Sequence, residues 1–278
     1  MSLSKDFRRK YGPWVLVTGA SSGIGEQFAR LIAAEGLNVI LVARRDDRLQ
    51  IIVEELRSQH GVEAESIPLD LSTPDFLDSL LRACEGKDVG LVISNAGFGL
   101  KGLHHEMPLD KLSEMLDVNC RAALVITHSF TPKLIERGRG GIILTGSMEG
   151  FFGVPWSAAY SSTKAFVLSL GEALWSELQR HDVDVLVLAP GSTDTETHIT
   201  QGIAKKDLPG LKSPQEVAKL GLEQLGRRPV YVSGFLNRQL TRVFSKLPRR
   251  WAVALMGAGV RKVILRNRTR SLNSKSDT

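Results

Sequence analysis

The sequence predicts an α/β protein built on a doubly wound parallel sheet of about seven strands. Helices are expected on both faces, with a further helical extension towards the C-terminal end. Three observations carry this expectation. Near-continuous apolar runs alternate with helix-like stretches along most of the chain. A glycine-rich turn, TGASSGIG at 18–25, follows the first apolar run and opens a helix. The 278 residues are 42% apolar and 24% charged, an ordinary balance for one domain with appendages.

The elements follow in order. WVLVT at 14–18 is apolar at every position but the last, as a parallel strand buried on both faces requires. GEQFARLIAAEG at 25–36 reads as a helix stopped by glycine. NVILVA at 38–43 is the second strand, and Asp46–Gln59 the next helix. EAESIP at 63–68 is a weaker strand. GLVIS at 90–94, GIILTG at 141–146 and VDVLVLA at 183–189 are strong ones. SPQE at 213–216 is a capping box with proline at the first helical position. PVYVS at 229–233 is a last, weaker strand. Strands alternating with helices imply parallel pairing.

Composition excludes several classes. Cys84 and Cys120 lie in no CxxC pair and make no disulfide framework, which points to reduced, cytoplasmic surroundings. MSLSKDFRRKYGP has no apolar signal region, and no apolar run reaches about 18 residues, so neither a secretory leader nor a transmembrane helix is expected. His104 and His105 lack a third ligand at metal spacing, so no metal site is expected. The net charge of +6 is uneven. Between Gln224 and Ser276 stand 13 Lys/Arg and no Asp/Glu, joined to a mildly acidic body.

The glycine loop suggests a dinucleotide. Gly19 lets the chain turn sharply, Gly23 lets backbone approach a pyrophosphate, and Gly25 allows close helix packing. Ser21, Ser22 and Ile24 complete the loop, whose helix N-terminus offers N–H groups to phosphate. A tight turn needing several glycines is the plain alternative. YSSTK at 160–164 sets a phenol one helical turn from an ammonium. Alone, that pair fits a snorkelling lysine beside a half-buried tyrosine better, because short motifs recur by chance.

The motifs taken together resemble the short-chain dehydrogenase/reductase family over about residues 12 to 235. The shared features are TGxxxGxG, Asn95-Ala96-Gly97 after the fourth strand, Ser147 before Tyr160 and Lys164, and Pro190-Gly191 after the sixth strand. Ser94 stands where the family often has asparagine. The resemblance implies a Rossmann-like catalytic domain over 1–235, with a basic amphipathic extension and polar tail over 236–278. It implies that Tyr160 is the general acid or base, that Ser147 holds the substrate oxygen, and that Lys164 bonds the nicotinamide ribose. LDVNCRA at 116–122 nominates Asn119 as the fourth catalytic residue, with a helix-kink role as the alternative. Thr193 would meet the carboxamide, and Asp70-Leu71 the adenine. Asp70 could equally cap a helix, and Ser147 a turn. Homodimers or homotetramers through the helices holding Asn119 and Tyr160 are implied.

The second strand ends in LVARRDD, with Ala43 where an NAD-preferring fold usually has an acid. A guanidinium at Arg44 would bind a 2′-phosphate bidentately, so NADP(H) is expected and NAD(H) is the less favoured cofactor. A solvated Arg44–Arg45 pair is the alternative. Some NADP-preferring relatives carry a basic residue inside the glycine loop, where this chain has serines. A free tyrosine titrates near pH 10, and the Lys164 ammonium is expected to bring Tyr160 down.

Phe151, Phe152, Pro155 and Trp156 make the segment after Ser147 apolar, and Met148 and Glu149 lie close to that serine. With the loop at 192–213 they suggest a pocket for a largely apolar ketone or secondary alcohol. A 3-ketoacyl thioester reductase is the nearest alternative, and a non-catalytic dinucleotide-binding regulator the alternative of another class. The tail carries only Phe244 and Trp251 among its basic residues, so nucleic acid is not expected as a partner. Leu236, Leu240, Val243, Phe244 and Leu247 share one helical stripe, followed by a second amphipathic stretch at about 249–265. Contact with a membrane surface or an acidic carrier protein is open. The apolar run from Trp251 to Val260 is expected to pack rather than face water.

Overall fold

The computed structural model describes residues 5–196, 205 and 210–261. Seven strands form one parallel sheet in the order β3-β2-β1-β4-β5-β6-β7. They are β1 (Trp14–Thr18), β2 (Asn38–Ala43), β3 (Ala64–Pro68), β4 (Val89–Ser94), β5 (Gly140–Thr145), β6 (Val183–Ala189) and β7 (Val230–Val232). The expected strands are all present, each within about one residue of its expected ends.

Alternation along the strands divides the core. Val15, Val17 and Leu41 point to one side, against Phe28 and Ile32 of α2 (Gly23–Ala34) and Leu49 and Leu56 of α3 (Asp46–His60). Leu16, Ile40 and Val42 point to the other, against Phe76 and Leu80 of α4 (Phe76–Ala83) and Ile126 and Phe130 of α6 (Ala122–Arg137). Leu144, Val185 and Val187 pack on Val167 of α7 (Ala158–Leu178). Gly36, two residues past α2, has φ of +76°, the left-handed geometry of a helix stop. Ser213 accepts a hydrogen bond from the Glu216 N–H at 3.1 Å, capping α8 (Pro214–Gln224) as the SPQE pattern requires.

Between α5 (Leu109–Leu116) and α6 the chain makes a π-helical turn over Asp117–Arg121. The wider turn shifts the helix phase and brings Asn119 inward, where it is 2% exposed.

The N-terminal α1 (Lys5–Tyr11) has no counterpart in the sequence reading. It closes the N-terminal edge of the sheet. The Tyr11 hydroxyl donates to the Asp184 carboxylate, and Lys10 Nζ lies 2.8 Å from Asp182 and 2.9 Å from Asp184. Burial, with the Asp184 carboxylate close by, pushes the Tyr11 phenol above its ordinary range, so it stays a donor.

The C-terminal extension begins with α9 (Phe235–Lys246) and continues with helical residues 249–261, labelled α10. Here the structure corrects the expected packing. Leu236, Leu240 and Val243 are exposed, as are Trp251 and Leu255. The inward side is set by small residues, Thr241, Ala252 and Gly257, which let both helices approach the body closely. Phe244 alone of the stripe stacks inward on an aromatic ring, 5.9 Å from Phe152, and a Cβ at Gly257 would lie 2.7 Å from Pro155 Cγ. No helix among the described residues is long and apolar enough to cross a membrane. The tail after Arg261 lies outside the described residues.

Tyr11→Phe removes one hydrogen bond at the sheet edge away from the glycine loop. It should lower unfolding free energy by about 1 kcal/mol in urea with an unchanged slope. Stability equal to the parent chain would mean the Tyr11–Asp184 contact adds nothing.

Candidate active site

The glycine loop, the NAG turn, Ser147 and Pro190-Gly191 all sit at the C-terminal edge of the sheet. β1 and β4 are neighbours there, and the chain winds outward on either side of them. Such a switch point leaves a crevice between the diverging connections.

The glycine loop is held by close backbone approach. Gly19 has φ of +67°, and a Cβ on Gly25 would lie 2.2 Å from Gly19 O. Ser22 is the N-cap of α2 yet makes no side-chain capping bond. This geometry fits a pyrophosphate: glycine backbone without side chains, ahead of an uncapped helix N-terminus. Ile24 packs against the core. A cleft of about 390 Å³ opens beside the loop, lined among others by Ser22, Gly23, Arg48, Asp194 and Thr195. None of Ser147, Tyr160 and Lys164 lines it.

Asn95 acts as a cross-link. Its N–H donates to Thr18 Oγ1 at 3.0 Å, its amide donates to Thr18 O at 3.1 Å, and its carbonyl accepts from Thr145 Oγ1 at 3.1 Å. The Ala96 N–H also donates to Thr18 Oγ1. These bonds tie the ends of β1, β4 and β5 together. Gly97 has no side chain because there is no room: a Cβ would lie 2.9 Å from Asn119 Oδ1 and 3.4 Å from Lys164 Nζ. Asn119 accepts from the Phe98 N–H at 3.1 Å and donates to Phe98 O and to Thr163 Oγ1. Lys164 donates to Thr145 O at 2.8 Å.

The Ser147 hydroxyl stands near enough to the Tyr160 phenol to act on its titration. Lys164 Nζ lies 5.8 Å from the centre of the Tyr160 ring. The expected lowering of the phenol is reversed in the structure. Burial pushes Tyr160 above its ordinary range, and the Glu149 carboxylate adds to that, with the Ser147 hydroxyl acting in the opposite sense. Burial also brings Lys164 down to about 8. Sequence reasoning compared Tyr160 with its helical neighbour and left out the carboxylate reached through space.

The nucleotide side holds a second surprise. Arg44, at the end of β2, is 61% exposed and bonds Glu114 at 3.1 Å, with Asp70 4.0 Å away. Arg45 lies across the glycine loop, bonding Ser21 Oγ at 3.0 Å, Ser22 Oγ at 2.8 Å and Glu196 at 2.8 Å. The successive arginines point to different sides, and the reading that rested on Arg44 missed the second. Glu196 is held down to about 2 by Arg48 and Arg45. Asp70 accepts from the N–H and hydroxyl of Ser72 in a local turn and caps no helix, since α4 starts at Phe76 with Asp75 as its N-cap; the Leu71 side chain is buried in the core.

After β6, Met148 N–H bonds Pro190 O, and Thr193 Oγ1 donates to Gly191 O at 3.2 Å. A Cβ on Gly191 would meet the Asn237 side chain at 2.2 Å, so α9 rests directly on this turn. Of the loop beyond, 197–204 and 206–209 lie outside the described residues. His104 and His105 form an exposed 3-10 turn, and the described residues hold no group of three ligands placed for a metal ion.

Fold and site together define a nicotinamide-dinucleotide-dependent oxidoreductase. Residues 13–206 match the short chain dehydrogenase family model, and the chain belongs to that family. It is 32% identical over 253 residues to a 7beta-hydroxysteroid dehydrogenase of Clostridium sardiniense, covering 91% of this chain and 97% of that one. A solved structure concerned with 7beta-hydroxysteroid dehydrogenase stereoselectivity superposes with a TM-score of 0.83 at 30% identity, covering 90% and 98% of the two chains. A short-chain dehydrogenase from Sphingobium yanoikuyae in complex with NADPH superposes at 0.76 with 29% identity, covering 86% and 97%.

Gly97→Ala would force Asn119 or Lys164 to move. Turnover per substrate should fall by about 10- to 100-fold with an unchanged circular dichroism spectrum. Full activity would mean that the close approach at Gly97 has no bearing on the site.

Proposed function

We propose that this chain is an NADP(H)-dependent enzyme that interconverts a bulky, largely apolar ketone and its secondary alcohol. The observation that carries the proposal is the grouping of Ser147, Tyr160 and Lys164 at the switch-point edge of the sheet. The similarity to 7beta-hydroxysteroid dehydrogenases supports a rigid alicyclic substrate, as do Phe152 and Phe244 stacked beside the serine turn.

When bound, the dinucleotide supplies hydride to the carbonyl carbon or takes it back. A carbonyl oxygen placed at Ser147 and Tyr160 meets two hydroxyl donors. Tyr160 gives its proton to that oxygen in reduction and recovers it in oxidation. Burial and Glu149 keep the phenol protonated at neutral pH, which suits it as the acid of a reduction. Lys164 sets a positive charge beside the ring, favouring the phenolate left after transfer. Asn119 binds both polar groups of residue 98 and Thr163, so it holds the turn of α7 that carries Lys164. Gly19, Ser21, Ser22, Gly23, Ile24 and Gly25 would hold the pyrophosphate. Asp70 and Leu71 would border the adenine, Asn95, Ala96 and Gly97 the ribose, and Pro190, Gly191 and Thr193 the carboxamide.

Arg44 and Arg45 together supply the positive charge for a 2′-phosphate. Arg45 fills from the end of β2 the position over Ser21 and Ser22 that a basic loop residue would take. The reading divides the chain into a catalytic unit at 1–235 and an extension at 236–278 whose helices wall the substrate side. Copies associate through α5, α6 and α7, whose surroundings leave Leu116, Leu124 and Phe166 exposed. The exposed apolar residues of α9 and α10, rimmed by arginines, suit an anionic lipid surface or an acidic carrier.

Tyr160→Phe should lower turnover by at least about 100-fold with little change in NADPH affinity. Near-normal turnover on the best ketone from a carbonyl screen would remove Tyr160 from the reaction.

Arg44→Ala and Arg45→Ala should each weaken NADPH by about 10-fold or more through loss of a charge-assisted contact, and NADH much less. Fluorescence titration with both cofactors tests this. Equal weakening of the two would mean that neither arginine reads the phosphate.

A further inference from the structure

Beside the Ser147–Tyr160 pair lies an ion pair that the proposed reaction does not use. Lys101, from the segment after β4, has a side chain only 4% exposed. Its Nζ donates to both carboxylate oxygens of Glu149, at 2.5 and 2.7 Å, and to Ser157 Oγ at 2.8 Å. Ser157 is buried and donates in turn to Glu149 at 2.6 Å. Glu149 belongs to the turn after Ser147, and its own N–H donates to Ser147 Oγ at 3.2 Å. Lys101 Nζ also lies 5.4 Å from the centre of the Tyr160 ring, nearer than Lys164 at 5.8 Å.

We propose that Lys101 and Glu149 are positioning residues for the reaction: their ion pair holds the turn whose main-chain N–H at residue 149 seats the Ser147 hydroxyl, and the two opposite charges fix the electrostatic surroundings of the Tyr160 phenol. The geometry argues for this in three ways. All three donor bonds of the ammonium are taken by Glu149 and Ser157, so Lys101 is committed to the cluster. A buried lysine held only for packing is costly, whereas one matched by a carboxylate and a hydroxyl is tolerated. The cluster joins three separate segments, the one after β4, the turn after β5 and the start of α7, at the point where the serine and the tyrosine meet.

The charged and titratable groups around the phenol are Lys101 from the segment after β4, Glu149 from the turn after β5 and Lys164 from its own helix. Cys120 of the π turn stands against Lys164. Lys101 and Glu149 act on the phenol in opposite senses. Removing either one leaves the other's charge without its partner beside Tyr160, of opposite sign in the two cases.

The proposal rests on Tyr160 as the acid of the reaction, and its test separates the two claims. Tyrosinate absorbance of the full chain is followed against pH, with the Tyr160→Phe protein as background for Tyr11 and Tyr231. This readout needs no turnover. Glu149→Gln should move the Tyr160 titration to lower pH by about one pH unit or more, and Lys101→Met to higher pH. The double variant, Lys101→Met with Glu149→Gln, should return close to the parent. Glu149→Asp keeps the charge and should shift it little. The rise of kcat/KM with pH for alcohol oxidation should follow the same order.

A purely structural pair would give losses of activity without opposite shifts and without restoration in the double variant. That result, or an unmoved titration in the single variants, overturns the proposal. Either single variant read against the double carries the test if the other does not fold. A Tyr160→Phe enzyme of normal activity would overturn the reaction assigned to Tyr160 instead, and the titration would still report the charge pair.

Discussion

The Asn95 side chain is the constraint on which the site depends. It joins Thr18 at the end of β1 to Thr145 at the end of β5, from its own place at the end of β4. Thr145 O then receives Lys164, and Thr18 leads directly into Gly19. A continuous line of hydrogen bonds therefore runs from the glycine loop to the lysine of the tyrosine helix. The amide makes the geometry common to both ends, because neither strand end can shift without breaking a bond in a buried setting. The missing side chains at Gly25 and Gly97 belong to the same constraint, since any Cβ there would push the loop or Asn119 away from the cross-link.

A second consequence is electrostatic. Tyr160 stands between two ammonium groups and close to one carboxylate. Burial favours the neutral phenol and outweighs the pull of the nearer cations, partly because Glu149 neutralises one of them. Lys164 gives up some of its own proton affinity to the same burial. Burial therefore moves the two groups in opposite directions, the phenol up and the ammonium down.

Much of this was legible in the chain, and the reasons are local. The apolar runs marked five of the seven strands because a sheet covered on both faces leaves no polar alternation to obscure them, while the edge strands β3 and β7, less buried, left weaker signals. TGASSGIG and YSSTK were legible because each places its working atoms within one turn of backbone. Asn119 was nominated by its motif, while the π turn that seats it was raised only as a kink. What escaped were contacts between distant segments. Lys101 and Glu149 are 48 positions apart, and nothing in either neighbourhood marks the partner. Arg45 was passed over because the direction of two successive side chains at a strand end depends on how the next helix starts. The run from Trp251 to Val260 was expected to pack because its large residues are apolar. The body instead selected the small ones, which allow closer approach.

The wall formed by α9 and α10 is made after the segments that carry the site. Every residue assigned to the dinucleotide precedes Asp194, and so do the serine, tyrosine and lysine. Domains form from the N-terminal side as a chain is made. The crevice for the dinucleotide can therefore be assembled on the ribosome while the surface that Phe244 and Asn237 give to Phe152 and Gly191 is still missing. On that order of synthesis the glycine-loop crevice comes before the surface that α9 lays against the Pro190-Gly191 turn.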